Sequence, residues 1–193
     1  MLKVIREWKK LREETLAKGY GKELRKTIFL DPKGKEVDFY LYGQKNWAII
    51  LPLTMKGEVV AIRQYYQGAN KILLTIPGGD LNSVNEKPED AIKRELMEET
   101  GYLCQTVERI GETPLWPSTR NSWAHYWTFI GLEAEKKKEQ NLDQFEEIEI
   151  ETIPFKKWIE LCETEIEDNC AVTATFRALG YLKRNNLLEK YLP

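Results

Sequence analysis

Pro88-Glu-Asp-Ala-Ile-Lys-Arg-Glu-Leu-Met-Glu-Glu-Thr-Gly101 carries three glutamates, Glu95, Glu98 and Glu99, at spacings i, i+3 and i+4. At about 100° per residue, a helix sets all three on one side. Like charges gathered there repel and weaken the helix unless a cation neutralises them. Carboxylates are hard oxygen ligands suited to Mg²⁺ or Mn²⁺, ions that take a few carboxylates and leave positions for water and substrate phosphates. A solvated acidic face is the ordinary reading of three glutamates alone. The flanking residues turn it into a divalent-metal site for phosphate chemistry.

Pro88 suits a first helical turn, and Glu89 and Asp90 complement the positive end of the helix dipole. Gly101 suits the position just past the end, where φ is often positive. Upstream, Ile76-Pro-Gly-Gly-Asp80 reads as a strand end breaking into a glycine turn, whose backbone can approach a metal or phosphate closely. The predicted unit runs strand end, glycine loop, Glu86, then a capped acidic helix ending at Gly101.

Working outward, residues 2–18 place Leu2, Ile5, Trp8, Leu11 and Leu16 near one face and predict a helix ended by Gly19 and Gly21. Leu24–Leu30 and Val37–Leu41 read as strands around Asp31-Pro-Lys-Gly34, and Trp47–Leu53 and Val59–Gln67 as a second pair around Met55-Lys-Gly-Glu58. Leu73–Ile76 leads into the glycine loop. After the acidic helix come strands at Gln105–Glu112, Trp123–Leu132 and Ile148–Ile153, with the charged stretch 133–144 expected to be a flexible loop. Phe155–Thr164 and Asp168–Arg184 read as helices, the second presenting Val172, Phe176, Leu179 and Leu182 near one face. Strands around a central helix, with helices packed at the end, predict a mixed α/β sandwich. One domain is expected over 1–193, with 1–45 a candidate dimerising segment and 46–193 the catalytic core.

A composition of 42% hydrophobic and 31% charged residues is that of an ordinary globular chain. A formal charge of −2 offers no general attraction to nucleic acid or an anionic membrane. Charge is unevenly placed: the first 36 residues are basic on balance and 139–168 is acidic. Cys104, Cys162 and Cys170 lack CxxC spacing and cannot all pair, which suits free thiols in a reducing compartment. The opening residues lack the apolar stretch of a signal peptide, and no apolar run reaches about 18 residues. A cytoplasmic protein is expected. His125 is the only histidine, so a Ser-His or Cys-His relay has little to draw on.

The central unit resembles the Nudix box, the signature of the Nudix hydrolases: Gly, five residues, Glu, seven residues, then Arg-Glu-aliphatic-any-Glu-Glu-any-Gly-aliphatic. Glu86 and Arg94-Glu95-Leu96-Met97-Glu98-Glu99-Thr100-Gly101-Tyr102 match, with Tyr102 where an aliphatic is usual. Six residues, not five, separate Gly79 from Glu86, a change confined to the loop. The resemblance implies an α+β fold, a mixed β-sheet sandwich between α-helices. It also implies a pyrophosphohydrolase using one to three Mg²⁺ ions, with Mn²⁺ as the alternative. By resemblance, Glu95 and Glu99 are the principal ligands, Glu98 serves a further ion or water, and the Gly78 carbonyl is another donor. Arg94 orients the glutamates, and Glu86 braces the loop or is simply a surface charge.

Ile62-Arg-Gln-Tyr-Tyr66 followed by Leu73-Leu-Thr-Ile-Pro-Gly-Gly79 is similar to ADP-ribose pyrophosphatases and related nucleoside diphosphate sugar hydrolases. Tyr66, Thr75 and Gly78 depart from the branch's arginine, glutamate and alanine. Downstream, Leu142-Asp-Gln-Phe-Glu-Glu-Ile-Glu-Ile150 follows the branch's acidic loop, which supplies a further metal ligand and the general base. Glu146 matches the metal position. Gln144 stands where some relatives place the base, leaving Glu147 or an acid from 133–143 to serve. Candidate substrate-binding residues are Arg63, Tyr65, Gly79, Trp116, Arg120 and Asn121. Arg63 either meets a phosphate or is a charge on the sheet surface, and Trp116 or Trp123 either stacks on a base or anchors packing.

The expected partner is a small nucleotide, split into nucleoside monophosphate and sugar phosphate, and the expected assembly a homodimer. The rival within the enzyme class is a Nudix hydrolase of a nucleoside di- or triphosphate or a dinucleotide. The rival outside it is a nucleotide-sensing module on the same scaffold.

Overall fold

The computed structural model describes residues 4–117 and 120–192. The chain divides into two compact units, one comprising the part up to Asn46 together with Trp116–His125, the other Trp47–Leu115 with Tyr126 onward.

The first unit is a three-stranded antiparallel sheet of β1 (Lys9–Gly19), β2 (Lys22–Leu30) and β3 (Glu36–Gly43) in that order. The helix predicted over residues 2–18 is therefore a strand from Lys9 onward, while Leu2 lies outside the described residues. Tyr20 and Gly21, at φ 48° and 73°, make a two-residue turn that pairs Gly19 with Lys22 and closes a hairpin. Register shifts between Lys10 and Arg12 and between Thr15 and Ala17 break the alternation that would have marked a strand. Cross-strand ion pairs, Arg25 with Glu13 at 3.0 Å and Lys18 with Glu23 at 3.0 Å, then favour the sheet over the helix. Trp123 packs here, against Gly43 and under the Arg25 guanidinium, 4.2 Å from the ring centre.

The second unit holds β4 (Trp47–Thr54), β5 (Glu58–Tyr66), β6 (Lys71–Thr75), β7 (Gly78–Asp80), α1 (Pro88–Thr100), β8 (Tyr102–Arg109), β9 (Tyr126–Lys136), β10 (Ile148–Pro154), α2 (Phe155–Thr164), α3 (Asn169–Arg184) and α4 (Leu188–Tyr191). Its sheet is ordered β10-β5-β4-β9-β8, with β6 on β5 and β7 on β4. Only β4–β9 is parallel, so the sheet is mixed.

The apolar run of β4 reflects burial on both faces. Ala48 and Ile50 join Ala91, Ile92 and Leu96 of α1 in one cluster, while Ile49, Leu51 and Leu53 join Phe155 and Trp158 of α2 and Ala171, Ala174 and Ala178 of α3 in the other. Each fully buried Ile or Leu contributes about 1.5–3 kcal/mol, which fixes α1 on one side of β4 and α2–α3 on the other. The face α3 buries is Ala171, Ala174, Thr175, Ala178 and Leu182. Phe176, expected on the apolar face, is 77% exposed, because at about 100° per residue it falls on the side of α3 away from the face that packs.

Strand boundaries also move: β8 starts at Tyr102 and β9 extends to Lys136. The expected flexible loop is correspondingly shorter, and its first part is tied down. Lys137 N donates to Gly101 O at 2.8 Å and Asn141 N to Glu98 O at 2.8 Å, using carbonyls that a helix end leaves without partners. Gly101 makes this approach possible. It sits at φ 72°, and a methyl there would overlap the Lys138 carbonyl. Gly101→Ala is expected to cost about 2–4 kcal/mol through left-handed strain and overlap, read as a lowered urea midpoint with an unchanged slope.

Candidate active site

Strand β4 positions the site from both sides. Along its edge β7 pairs Ala48 with Gly79 and Ile49 with Gly78, and across its face α1 docks through Ala91, Ile92 and Leu96. The last turns of α1 thereby face the glycine loop. The Glu99 carboxylate accepts from Gly78 N at 2.9 Å, and Glu95 lies so close to Gly79 that no Cβ would fit between them.

Arg94 sits among the acids. Its Nη1 donates to Glu95 at 2.6 Å and to Glu98 at 3.1 Å, its Nε to Glu86 at 3.4 Å and its Nη2 to the Asp80 carbonyl at 3.2 Å. Burial works against its charge, but the bonds to Glu95, Glu86 and Glu98 hold it firmly protonated. Glu86 also accepts from Asn82 N and so spans the loop ahead of the helix.

Glu99 is only 4% exposed, and burial pushes its carboxyl well above the ordinary range. The charges of Glu95, Glu146 and Glu98 push the same way, against the Gly78 N–H. Glu95 is raised for the same reasons, burial first, with Arg94 opposing. Glu146, exposed on the loop before β10, thus bears electrostatically on the buried Glu99 and the half-buried Glu95 although distant from them in sequence. The loop folds on itself there, with Asp143 N donating to Glu146 at 3.1 Å and Glu146 N to Asp143 O at 3.0 Å. Glu147 is exposed beside it.

Among the described residues, no three acidic, imidazole or thiol groups are gathered as a finished metal centre. The donor chemistry nonetheless fits a hard divalent cation: the charges of Glu95, Glu98 and Glu146 all bear on Glu99, a buried carboxylate whose hydrogen bond among the described residues comes from the Gly78 N–H.

The other predicted residues are distributed differently. The Arg63 guanidinium pairs with Glu151 on the adjacent strand β10. The exposed Tyr65 hydroxyl bonds Asn70 Oδ1 at 2.5 Å across the β5–β6 turn. Trp116, Arg120 and Asn121 belong to the first unit. There Asn121 donates to Tyr40 O at 3.1 Å, and Trp116 is 60% exposed with its ring 5.4 Å from that of His125. Tyr66 and Thr75, the two departures beside the glycine loop, meet in space. Thr75 bonds Asp168, the residue that caps α3, and Tyr66 is half-buried near the same carboxylate with its hydroxyl pushed up to about 12, mainly by desolvation.

A NUDIX domain model matches residues 43–174, and the chain belongs to the Nudix family. It is a Nudix pyrophosphohydrolase. It is similar to an ADP-ribose pyrophosphatase of Bacillus subtilis, 26% identical over 190 residues that cover 94% of this chain and 98% of the relative. It is also similar to a GDP-mannose pyrophosphatase of Salmonella typhimurium, 29% identical over 157 residues covering 77% and 79%. The crystal structure of an ADP compounds hydrolase superposes with a TM-score of 0.81 at 17% identity, covering 96% of this chain and 99% of the other, which shows the shared mixed α+β fold. No helix among the described residues is long and apolar enough to cross a membrane.

Proposed function

We propose that this enzyme hydrolyses the pyrophosphate link of a nucleoside diphosphate sugar of the ADP-ribose type, giving nucleoside monophosphate and sugar phosphate, with Mg²⁺ or Mn²⁺. The observation that carries the reading is Glu99, a buried carboxylate bonded to the glycine-loop backbone at Gly78 N and acted on by the charges of Glu95, Glu98 and Glu146. The relatives named for ADP-ribose and GDP-mannose support the sugar-nucleotide class.

Glu95, Glu98, Glu99, Glu146 and the Gly78 carbonyl would hold the ions, which when bound neutralise phosphate charge and acidify a water. Arg94 keeps Glu95 and Glu98 turned toward one another through its 2.6 and 3.1 Å bonds, limiting their freedom before substrate arrives. Gly79, lacking a side chain, leaves room for the Glu95 carboxylate. The exposed acids of the 141–147 loop supply the proton acceptor for the attacking water, with Glu147 the nearest free carboxylate in sequence to Glu146. A homodimer in the cytoplasm completes the reading. The dimer is supported by β1, whose eleven residues are all exposed, Leu11 and Leu16 among them.

The test is a panel of ADP-ribose, GDP-mannose, other nucleoside diphosphate sugars, dinucleotides and free nucleotides, with Mg²⁺ or Mn²⁺ and product identification. The sugar nucleotides are expected to give the highest kcat/KM. Preference for a nucleoside triphosphate or a dinucleotide would reassign the substrate, and binding without turnover would indicate a sensor.

A further inference from the structure

The loop between β9 and β10 carries Glu146 and Glu147, and one neutral side chain spans its two ends. Gln140 Nε2 donates to the Glu99 carbonyl at 2.6 Å and to the Ile148 carbonyl at 3.1 Å. The first acceptor belongs to the last turn of α1 and to a residue whose own carboxylate is bonded to the glycine loop at Gly78 N. The second opens β10, immediately after Glu147. A primary amide offers two N–H donors, and here both reach backbone oxygens on different elements. Asn141 N, donating to Glu98 O at 2.8 Å, adds a backbone bond to the preceding helical residue. The half-buried Gln140 thus pins residues 141–147 at both ends onto the stretch of helix that carries Glu98 and Glu99.

We propose that Gln140 is a positioning residue for the hydrolysis: its carboxamide clamps the acidic loop to the end of α1, so that the segment bearing Glu146 and Glu147 is held in fixed register with the helical turn that carries Glu98 and Glu99. The catalytic part of this inference rests on the function proposed above. The clamp itself is a statement about this chain and can be read without turnover. Without the two donors the loop keeps its sequence and its charge but loses its registration. A misplacement on the order of 1 Å in a catalytic group costs about a hundredfold in rate.

Three readouts on Gln140→Met, similar in length and without N–H donors, test the proposal. Limited digestion of the metal-free protein with a glutamate-specific protease is expected to cut after Glu146 or Glu147 several-fold faster than in the unmutated chain. Mn²⁺ titration, followed by the resonance signal of the free ion, is expected to show at least one site weakened by about tenfold. On the sugar nucleotide selected by the panel, kcat is expected to fall about 10- to 100-fold with KM within about twofold. Gln140→Asn keeps the amide on a side chain one methylene shorter, so it reaches at most one of the two carbonyls. Its effects are expected to fall between those of Met and Gln, and it serves if the Met variant does not fold. Unchanged proteolysis and Mn²⁺ affinity in a folded variant overturn the clamp, and an unchanged kcat overturns its role in the reaction. Should the unmutated protein cleave no pyrophosphate compound, the proposed function fails, while digestion and Mn²⁺ binding still decide the clamp.

Discussion

Glu99→Gln is expected to lower kcat on the order of a thousandfold or more, and the same substitution is expected to stabilise the metal-free protein. The first effect follows if Glu99 is a principal ligand, because an amide keeps the shape of the carboxylate and loses its charge. The amide oxygen of the variant can still accept from Gly78 N, so the glycine loop stays attached to the helix. The second effect follows from burial. A carboxylate that is 4% exposed and feels the negative charges of Glu95, Glu98 and Glu146 has no ion pair of its own among the described residues. Removing that charge is expected to gain on the order of 1–3 kcal/mol at neutral pH.

The pH dependence fixes the sign. The folded state raises the Glu99 carboxyl above its ordinary value, mainly through burial, so between those two values the folded chain binds more protons than the unfolded one. Stability of the unmutated, metal-free protein therefore declines as pH rises through that interval, and the advantage of the Gln variant disappears in acid, below the ordinary carboxylate value. Added Mn²⁺ or Mg²⁺ is expected to raise the Tm of the unmutated protein, and that of the variant far less. Thermal unfolding with chelator and with metal, at acid and neutral pH, reads both arms. A variant with normal turnover, or one that responds to metal as the unmutated protein does, would remove Glu99 from the ligand set.

The acidic helix was legible because its signals are local: Pro88 at the start, Gly101 at the end and apolar residues at helical spacing between them. Strand β4 was legible for a related reason, since burial on both faces leaves a continuous apolar run. Strand β1 was hidden. Two register shifts scramble its alternation, and what makes it a strand is pairing with β2 across a turn that places Tyr20 at positive φ, which a sequence does not announce. The charged stretch after β9 looked mobile because its anchors are carbonyls of Gly101, Glu98 and Glu99, and a carbonyl has no residue type. Gln140 shares that invisibility, being one of three amides, with Asn141 and Gln144, in a charged stretch. Phe176 differs in the opposite direction: helical spacing groups it with Val172 and Leu179, whereas the face that packs runs through Ala171, Ala174 and Ala178, on the other side of the helix.

Gly79→Ala is expected to leave the fold almost intact and lower kcat about a hundredfold, whereas Gly78→Ala, one residue earlier, is expected to damage the fold itself. The contrast lies in what each new methyl would meet. At Gly79 it would stand 2.5 and 2.6 Å from the two carboxylate oxygens of Glu95, the far end of a flexible side chain. Gly79 has no left-handed φ that alanine would resist. The carboxylate must swing aside and lose its 2.6 Å bond from Arg94, at a folding cost below about 1 kcal/mol. At Gly78 the methyl would stand 2.5 Å from the Ala48 carbonyl oxygen and 3.0 Å from the Ile49 Cα, both backbone of buried strand β4. Backbone cannot swing aside, so β7 must separate from β4 at a cost of about 2–4 kcal/mol. Urea midpoints and kcat measured on both variants separate the two effects. Because Glu95 is the group displaced at Gly79, the alanine variant is also expected to bind Mn²⁺ more weakly while unfolding at nearly the unmutated midpoint. A Gly79→Ala enzyme that retained full kcat would mean that the Glu95 carboxylate does not act from the position it occupies against the glycine loop.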